Sequence, residues 1–391
     1  MTARQQLTLG ELTERTRPIQ YGVLKPGPYV EDGIPLIRIT DISSNYLDTT
    51  NVHRISKELD EEFRRSRLHG GEVLISVQGT IGKVALCPPE FAGSNISRTI
   101  AVIQPDDRVL PAYLRYSLLF KAESGGLWTV GTTRSSLNIG DLRDTSIPAP
   151  PVPEQKHIVR LLDEADDLRK LRAGADRSTA ELIPALFHEM FNGLKYETNR
   201  IGELTTFVTS GSTPRGGEEV YTTEGPYFIR SQNVRMNRLD LSDAACLPLD
   251  VHNQMDRTQI TPGDVLLNIT GASIGRVTWI DKLDREANVS QHVCLVRPKP
   301  DLLNSVFLSV FISLPTMQRQ ILQVQAGASR QALNHQQVRA LEIPLPPLYL
   351  QTLFANRVSV VRTLEADQAA SRLRLEALFQ SLLHRAFNGE L

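Results

Sequence analysis

The chain is poor in the features that usually announce chemistry. Its three cysteines, Cys87, Cys246 and Cys294, are scattered and odd in number, so they offer neither a disulfide framework nor a zinc site and read as partly buried thiols. No apolar run approaches the roughly 18 residues of a membrane span, and the N-terminal "MTARQQLTLGELTERT" lacks the apolar core of a signal peptide. A cytoplasmic location is expected. The net charge of −1 and pI near 6.7 are not those of a basic nucleic-acid binder. Any DNA-facing surface must therefore be a local patch balanced by acid elsewhere, or partner subunits supply much of the phosphate contact.

Catalytic motifs are missing too. "SVQGTIGKVAL", from Ser76, sets Gly79, Gly82 and Lys83 behind an apolar run, but a P-loop needs a glycine where Val77 stands and Ser or Thr where Val84 stands. No G-x-G-x-x-G occurs, nor an Asn-Pro-Pro-aromatic methyltransferase motif, and the eight histidines form no ligand cluster. His188 and His384 occupy matching helix positions and read as exposed or interface side chains. "LLDEADDL" spells the helicase motif Asp163-Glu164-Ala165-Asp166; without a P-loop, and with Leu162 and Ala165 on an apolar stripe, it predicts a solvated acidic face.

What is present is a duplication. "GTIGKV" returns as "GASIGRV", pairing Gly79 with Gly271, Gly82 with Gly275 and Lys83 with Arg276. In the same order "LGELT" returns as "IGELT", "GIPLIRITDI" as "GPYFIRSQNV", "GGEVLIS" as "PGDVLLN" and "SNISRTIAVIQP" as "ANVSQHVCLVRP". "GTTRSSLN" then returns as "GASRQALN" and "SIPAPPVPEQ" as "EIPLPPLYLQ", and both halves close on "FNG". The glycine-rich stretch is thus a tight strand-to-strand turn, present once per half.

Each half begins with short β-rich runs separated by Gly, Pro, Asp and Asn, with a few helical segments such as "PAYLRYSLLFKA" from Pro111 and "SVFLSVFISL" from Ser305. This predicts a mixed α/β globule. After the proline cluster, apolar residues recur at three and four: Ile158, Leu161, Leu162, Ala165, Leu168, Leu171, Ala175, Leu182, Leu186 and Met190 in the first half. Phe354, Val358, Val361, Leu364, Ala369, Leu373, Leu375, Leu378 and Leu382 follow the same rule in the second. Each segment predicts an amphipathic helix roughly 55 to 60 Å long, the first with a break near Gly174 or Pro184. Such a stripe exceeds one globule, so the two helices are expected to pair, antiparallel, in a pseudo-twofold molecule. Packing of each helix on its own globule is the simpler alternative. The expected boundaries are 1–150 and 196–348 for the globules and 151–195 and 349–391 for the helices.

The order of these motifs, duplicated together with the helices across essentially the whole chain, resembles the DNA-specificity subunit of type I restriction-modification systems. That resemblance implies a non-catalytic chain with two target-recognition domains, each reading one half of a bipartite DNA sequence, held apart by a coiled-coil spacer. It further implies two methyltransferase (modification) subunits docked on the helices, S-adenosylmethionine on those subunits and no cofactor here, and motor-nuclease (restriction) subunits for phage defence. Two globules on a rigid spacer suit half-sites about 34 Å apart on one face of DNA.

Base readout needs Arg, Lys, Asn, Gln, Ser or Thr on loops, and three duplicated loops carry them. Arg38, Thr40, Asp41, Ser43, Ser44 and Asn45 face Arg230, Ser231, Gln232, Asn233, Arg235 and Asn237. Gln78, Thr80 and Lys83 match the region of Thr270, Ser273 and Arg276. Arg134, Ser135, Ser136 and Asn138 match Arg330, Gln331, Ala332 and Asn334. Residues identical in both halves, such as Gly79, Asn95, Ser97, Leu137 and Asn138, read as builders of the fold. Positions that differ, Thr40 with Gln232 or Ser136 with Ala332, are the better specificity candidates. Lys83 and Arg276 share only charge, which suits phosphate. The rival readings are a duplicated protein-interaction adaptor, favoured by near-neutral charge, and an enzyme with an unrecognised site.

Overall fold

The computed structural model describes residues 5–43, 46–48, 50–125, 127, 136–325 and 332–391. It forms two compact units, Met1–Arg172 with Ser371–Leu391, and Ala173–Ala370. The unit boundaries therefore fall inside the long helices rather than at the globule edges.

The same architecture is built twice. In the first unit a four-stranded antiparallel sheet runs in the order Gln20–Tyr21, Ile100–Ile103, Val73–Ser76, Val84–Leu86. In the second the order is Thr205–Ser210, Val293–Pro298, Val265–Asn268, Val277–Trp279. A three-stranded sheet accompanies each, His53–Ile55, Ile34–Ile37, Asn95–Ile96 and Ala245–Cys246, Thr222–Ile229, Ala287–Val289, with one parallel pair in each.

Alternation along the strands sorts the cores. Val73, Ile75, Ala101 and Ile103 face the helical layer, while Leu74, Ile100 and Val102 face Ile37, Ile42 and Ile96 on the other side. With both faces covered, these strands read in sequence as continuous apolar runs. The first core also holds Tyr113 and Tyr116 of the helix Pro111–Glu123, and the second holds Phe307 of the helix Ser305–Ser313.

The first long segment is a helix over Val152–Ala180 followed by another over Leu182–Phe191. The break falls where Pro184 would press on the carbonyl four residues earlier. The second is one helix, Leu348–Asn388. Pro153 lies in the first turn of the first helix, where its missing N–H is harmless. Within the second unit, Gln368 bonds Thr179 (2.9 Å) and Arg357 stands 4.0 Å from Glu189, so the two helices run antiparallel. Within the first, Arg169 meets Glu376 at 2.8 Å.

Both packing expectations hold at once. Ile158, Leu162 and Ala165 bury on the first globule, and beside them lie Phe379, Leu383, Ala386 and Phe387 from the chain's far end. Phe354 and Val358 do the same in the second unit, alongside Ile183, Phe187 and Phe191. The expected stripe is corrected at Leu168, Leu171, Leu182, Leu364, Leu373 and Leu378, which are exposed. Asp166 also departs from the solvated acidic face, being buried against Arg115 (3.3 Å) and flanked by Arg169 and Lys170, while Tyr116 donates to Asp163 at 2.7 Å. The helix turns this edge toward the globule because Arg115 projects from it.

Candidate nucleic-acid interface

The duplicated "GTIGKV" turn links adjacent antiparallel strands, with φ +73° and +86° at Gly79 and Gly82 and +73° and +84° at Gly271 and Gly275. L side chains rarely hold those values, which is why glycine recurs. The Gly82 amide closes on the Ser76 carbonyl (3.0 Å) and the Gly275 amide on that of Asn268 (2.9 Å).

Beside this turn lies the "IRITDI" loop, and here several candidates prove internal. The buried Asp41 carboxylate accepts from the Arg38 amide at 2.8 Å and from its guanidinium, and Thr40 donates to it at 3.1 Å. Buried Asn233 repeats the bond to the Arg230 amide (2.9 Å) and donates to Asp240 and Asp243. Both residues shape the loop, and neither is free to read a base. Asn237 is likewise internal, its amide bonded to Ser313 and its carbonyl to Arg362.

Lys83 also departs from expectation. Its ammonium donates to the carbonyls of Ile39 (3.3 Å) and Ile42 (2.8 Å), stapling the two loops together rather than facing phosphate. In the second unit Asn268 performs the equivalent staple, donating to the Ser231 carbonyl at 2.8 Å and to Ser273. Arg276, relieved of that task, is half-buried and makes no side-chain hydrogen bond among the described residues.

The third loop returns the same way. Gln78 bridges to Ser136 and Thr270 to Ala332, joining it to the glycine turn. Asn138 and Asn334 cap the following helices, accepting from Asp141 (2.9 Å) and Gln337 (2.8 Å), and Leu137 and Leu333 are buried. Thr270 is paired with His292 at 2.6 Å. Ser44, Asn45, Arg134, Ser135, Arg330 and Gln331 lie outside the described residues. Thr40, Ser43, Thr80, Ser136, Gln232 and Arg235 remain exposed, with Gln232 donating to Asp243 at 2.6 Å.

One contrast was missed from sequence. An open cleft in the first unit is lined by Tyr29, Arg38, His53 and Arg54. At the matching place Arg230 lies 5.5 Å from the ring of Tyr221, 3.6 Å from Glu218 and 3.5 Å from the carbonyl of Asp243. Tyr29 and Tyr221 stand at equal distance before Arg38 and Arg230, a signal that was available. The matched arginines thus keep different company: Arg38 is bonded to Asp41, whereas Arg230 lies between Glu218 and the Tyr221 ring.

Burial shapes the remaining titratable groups. It pushes the Cys87 and Cys294 thiols up to about 12, with the Glu72 carboxylate adding to the effect at Cys87. All three cysteines are buried. Among the described residues no group of three or more His, Cys, Asp or Glu could hold a metal ion, and no helix is long and apolar enough to cross a membrane.

The family described as "Type I restriction modification DNA specificity domain" matches residues 9–175 and again 194–370. The chain belongs to this family. The type I restriction enzyme EcoBI specificity subunit of Escherichia coli is 30% identical over 194 residues, 47% of this chain and 40% of its own length. The putative MjaX specificity subunit of Methanocaldococcus jannaschii is 22% identical over 390 residues, 92% of this chain and 87% of its own. Two solved structures share the fold, each with a TM-score of 0.60. One, a chain of a type I R-M system, is 20% identical and covers 100% of this chain and 99% of its own. The other, the type I S subunit from M. genitalium, is 14% identical and covers 98% and 96%. The fold class and the specificity-subunit function expected from sequence hold for this family member.

Proposed function

We propose that each unit reads one half of a bipartite DNA target and that the paired helices set the spacing and dock two methyltransferase subunits, with motor-nuclease subunits joining for restriction. In this reading the chain is cytoplasmic and non-catalytic, binds no cofactor, and relies on S-adenosylmethionine held by the methyltransferase. The supporting observation is that both halves carry one loop fixed by the same hydrogen bond, Arg38 amide to Asp41 and Arg230 amide to Asn233, while the exposed side chains around it differ. Shared architecture with divergent display is what two readers of different half-sites require. The adaptor reading lacks such support, since the family is described by DNA specificity.

The test is co-purification with the methyltransferase subunits followed by duplex binding across a salt series. Tight binding of one duplex, lost when either half-site is changed, is the expected result. Equal binding to all sequences contradicts it.

A further inference from the structure

In the second unit a hairpin pairs Val234–Arg235 with Arg238–Leu239. Its turn residue Asn237 is the one non-glycine residue with positive φ (53°) among those described. Asparagine tolerates that conformation better than most residues, and the surroundings fix it. The Asn237 amide donates to the Val277 carbonyl (2.6 Å), and its side chain donates to Ser313 (2.8 Å) and accepts from Ser309 (3.2 Å). Its carbonyl accepts from the guanidinium of Arg362, on the long helix, at 2.7 Å. Arg362 is itself held by Glu365 at 2.5 Å and lies 5.3 Å from the Trp279 ring centre.

With the turn pinned, the neighbouring side chains face outward. Arg235, Met236 and Arg238 are exposed, and the one acid near both guanidiniums among the described residues is Asp240, at 3.7 and 3.6 Å. The matching hairpin of the first unit, Ile42–Ser43 with Tyr46–Leu47, also docks on its long helix, by different chemistry. There the Lys170 ammonium lies 4.3 Å from the Tyr46 ring centre and Arg115 at 5.3 Å. The same contact, reinvented in each half, marks the hairpin's aim as the retained property. A two-stranded ribbon with exposed arginines fits the major groove, where arginine recognises guanine.

We propose that this hairpin is the specificity element of the second unit, that Met236 and Arg238 contact DNA beside Arg235, and that Asn237 and Arg362 are positioning residues that aim it from the long helix. The proposal rests on the DNA-reading role given above.

The full chain, bound to its methyltransferase subunits, is measured against its cognate duplex and against duplexes with one half-site changed at a time. Arg238→Ala and Arg362→Ala lose roughly tenfold or more of the discrimination at one and the same half-site and keep it at the other. The salt slope becomes shallower in Arg238→Ala but not in Arg362→Ala. Arg362→Lys, which keeps the charge, and Asn237→Gly, which keeps the turn, lose less and guard against misfolding. Unchanged discrimination in Arg238→Ala, or equal loss at both half-sites in Arg362→Ala, overturns the proposal. Absence of discrimination by the unaltered complex overturns the DNA-reading role itself, and this inference with it.

Discussion

Lys83 and Arg276 occupy matching places and do different work. The Lys83 ammonium holds two carbonyls, so Lys83→Met should lower stability by about 1.5–3 kcal/mol and leave the salt dependence of DNA binding unchanged. Arg276→Ala should instead leave the melting temperature nearly constant and make the salt slope shallower by about one unit. Titrations at several salt concentrations, with melting curves, separate the two. Gly22 and Gly211 are a further matched pair: an added Cβ would stand 1.7 Å from the Ile96 carbonyl oxygen and 1.5 Å from that of Val289. Gly211→Ala should therefore cost more than about 3 kcal/mol, read by chemical denaturation; a cost within about 0.5 kcal/mol, the ordinary range for a neutral surface change, contradicts the close approach.

At the scale of elements, a buried carboxylate follows each glycine that precedes a central strand. Asp264 meets Arg297 at 2.7 Å, and Glu72 meets Arg17 at 2.8 Å. Burial alone would raise the Glu72 carboxyl, but Arg17 and the amide of His69 outweigh it and hold the group below its ordinary value. A depressed carboxyl stabilises the fold above its unfolded value, about 4.3, and the contribution fades as pH falls through the folded value. Glu72→Gln should thus lower the melting temperature at pH 7 and make progressively less difference on acidification.

The repeated "GGEVL" and "PGDVL" made these strands legible in sequence, as the three-and-four spacing did the long helices. What the sequence hid was which side chains the fold consumes. Asp41, Asn233, Asn237 and Lys83 look like polar loop residues available to DNA, but loop carbonyls and amides claim them. Gln155 and Gln351 close the proline-rich motif in both halves, yet only the structure shows each one receiving an amide, of Leu110 (2.8 Å) and Asn304 (2.9 Å), to lock helix entry. Asp166 looks solvated in sequence because its partner Arg115 lies 51 residues away on another helix, not on its own.

For the whole molecule, each unit takes helical residues from both halves of the sequence. Phe379 is 1% exposed in the core of the first unit and lies 6.1 Å from Tyr116, ring centre to ring centre. Phe379→Ala should cost about 3–5 kcal/mol, and hydrogen exchange should show protection lost from the strands Val73–Ser76 and Ile100–Ile103. Loss confined to the C-terminal helix would contradict shared packing. The central claim, that two similar domains read two different half-sites, is tested most directly by mapping methylated bases across the host genome with the gene intact and deleted. The account predicts a bipartite motif, two short specified segments separated by an unspecified spacer, that vanishes on deletion. A motif that persists without the gene, or a single uninterrupted one, contradicts it.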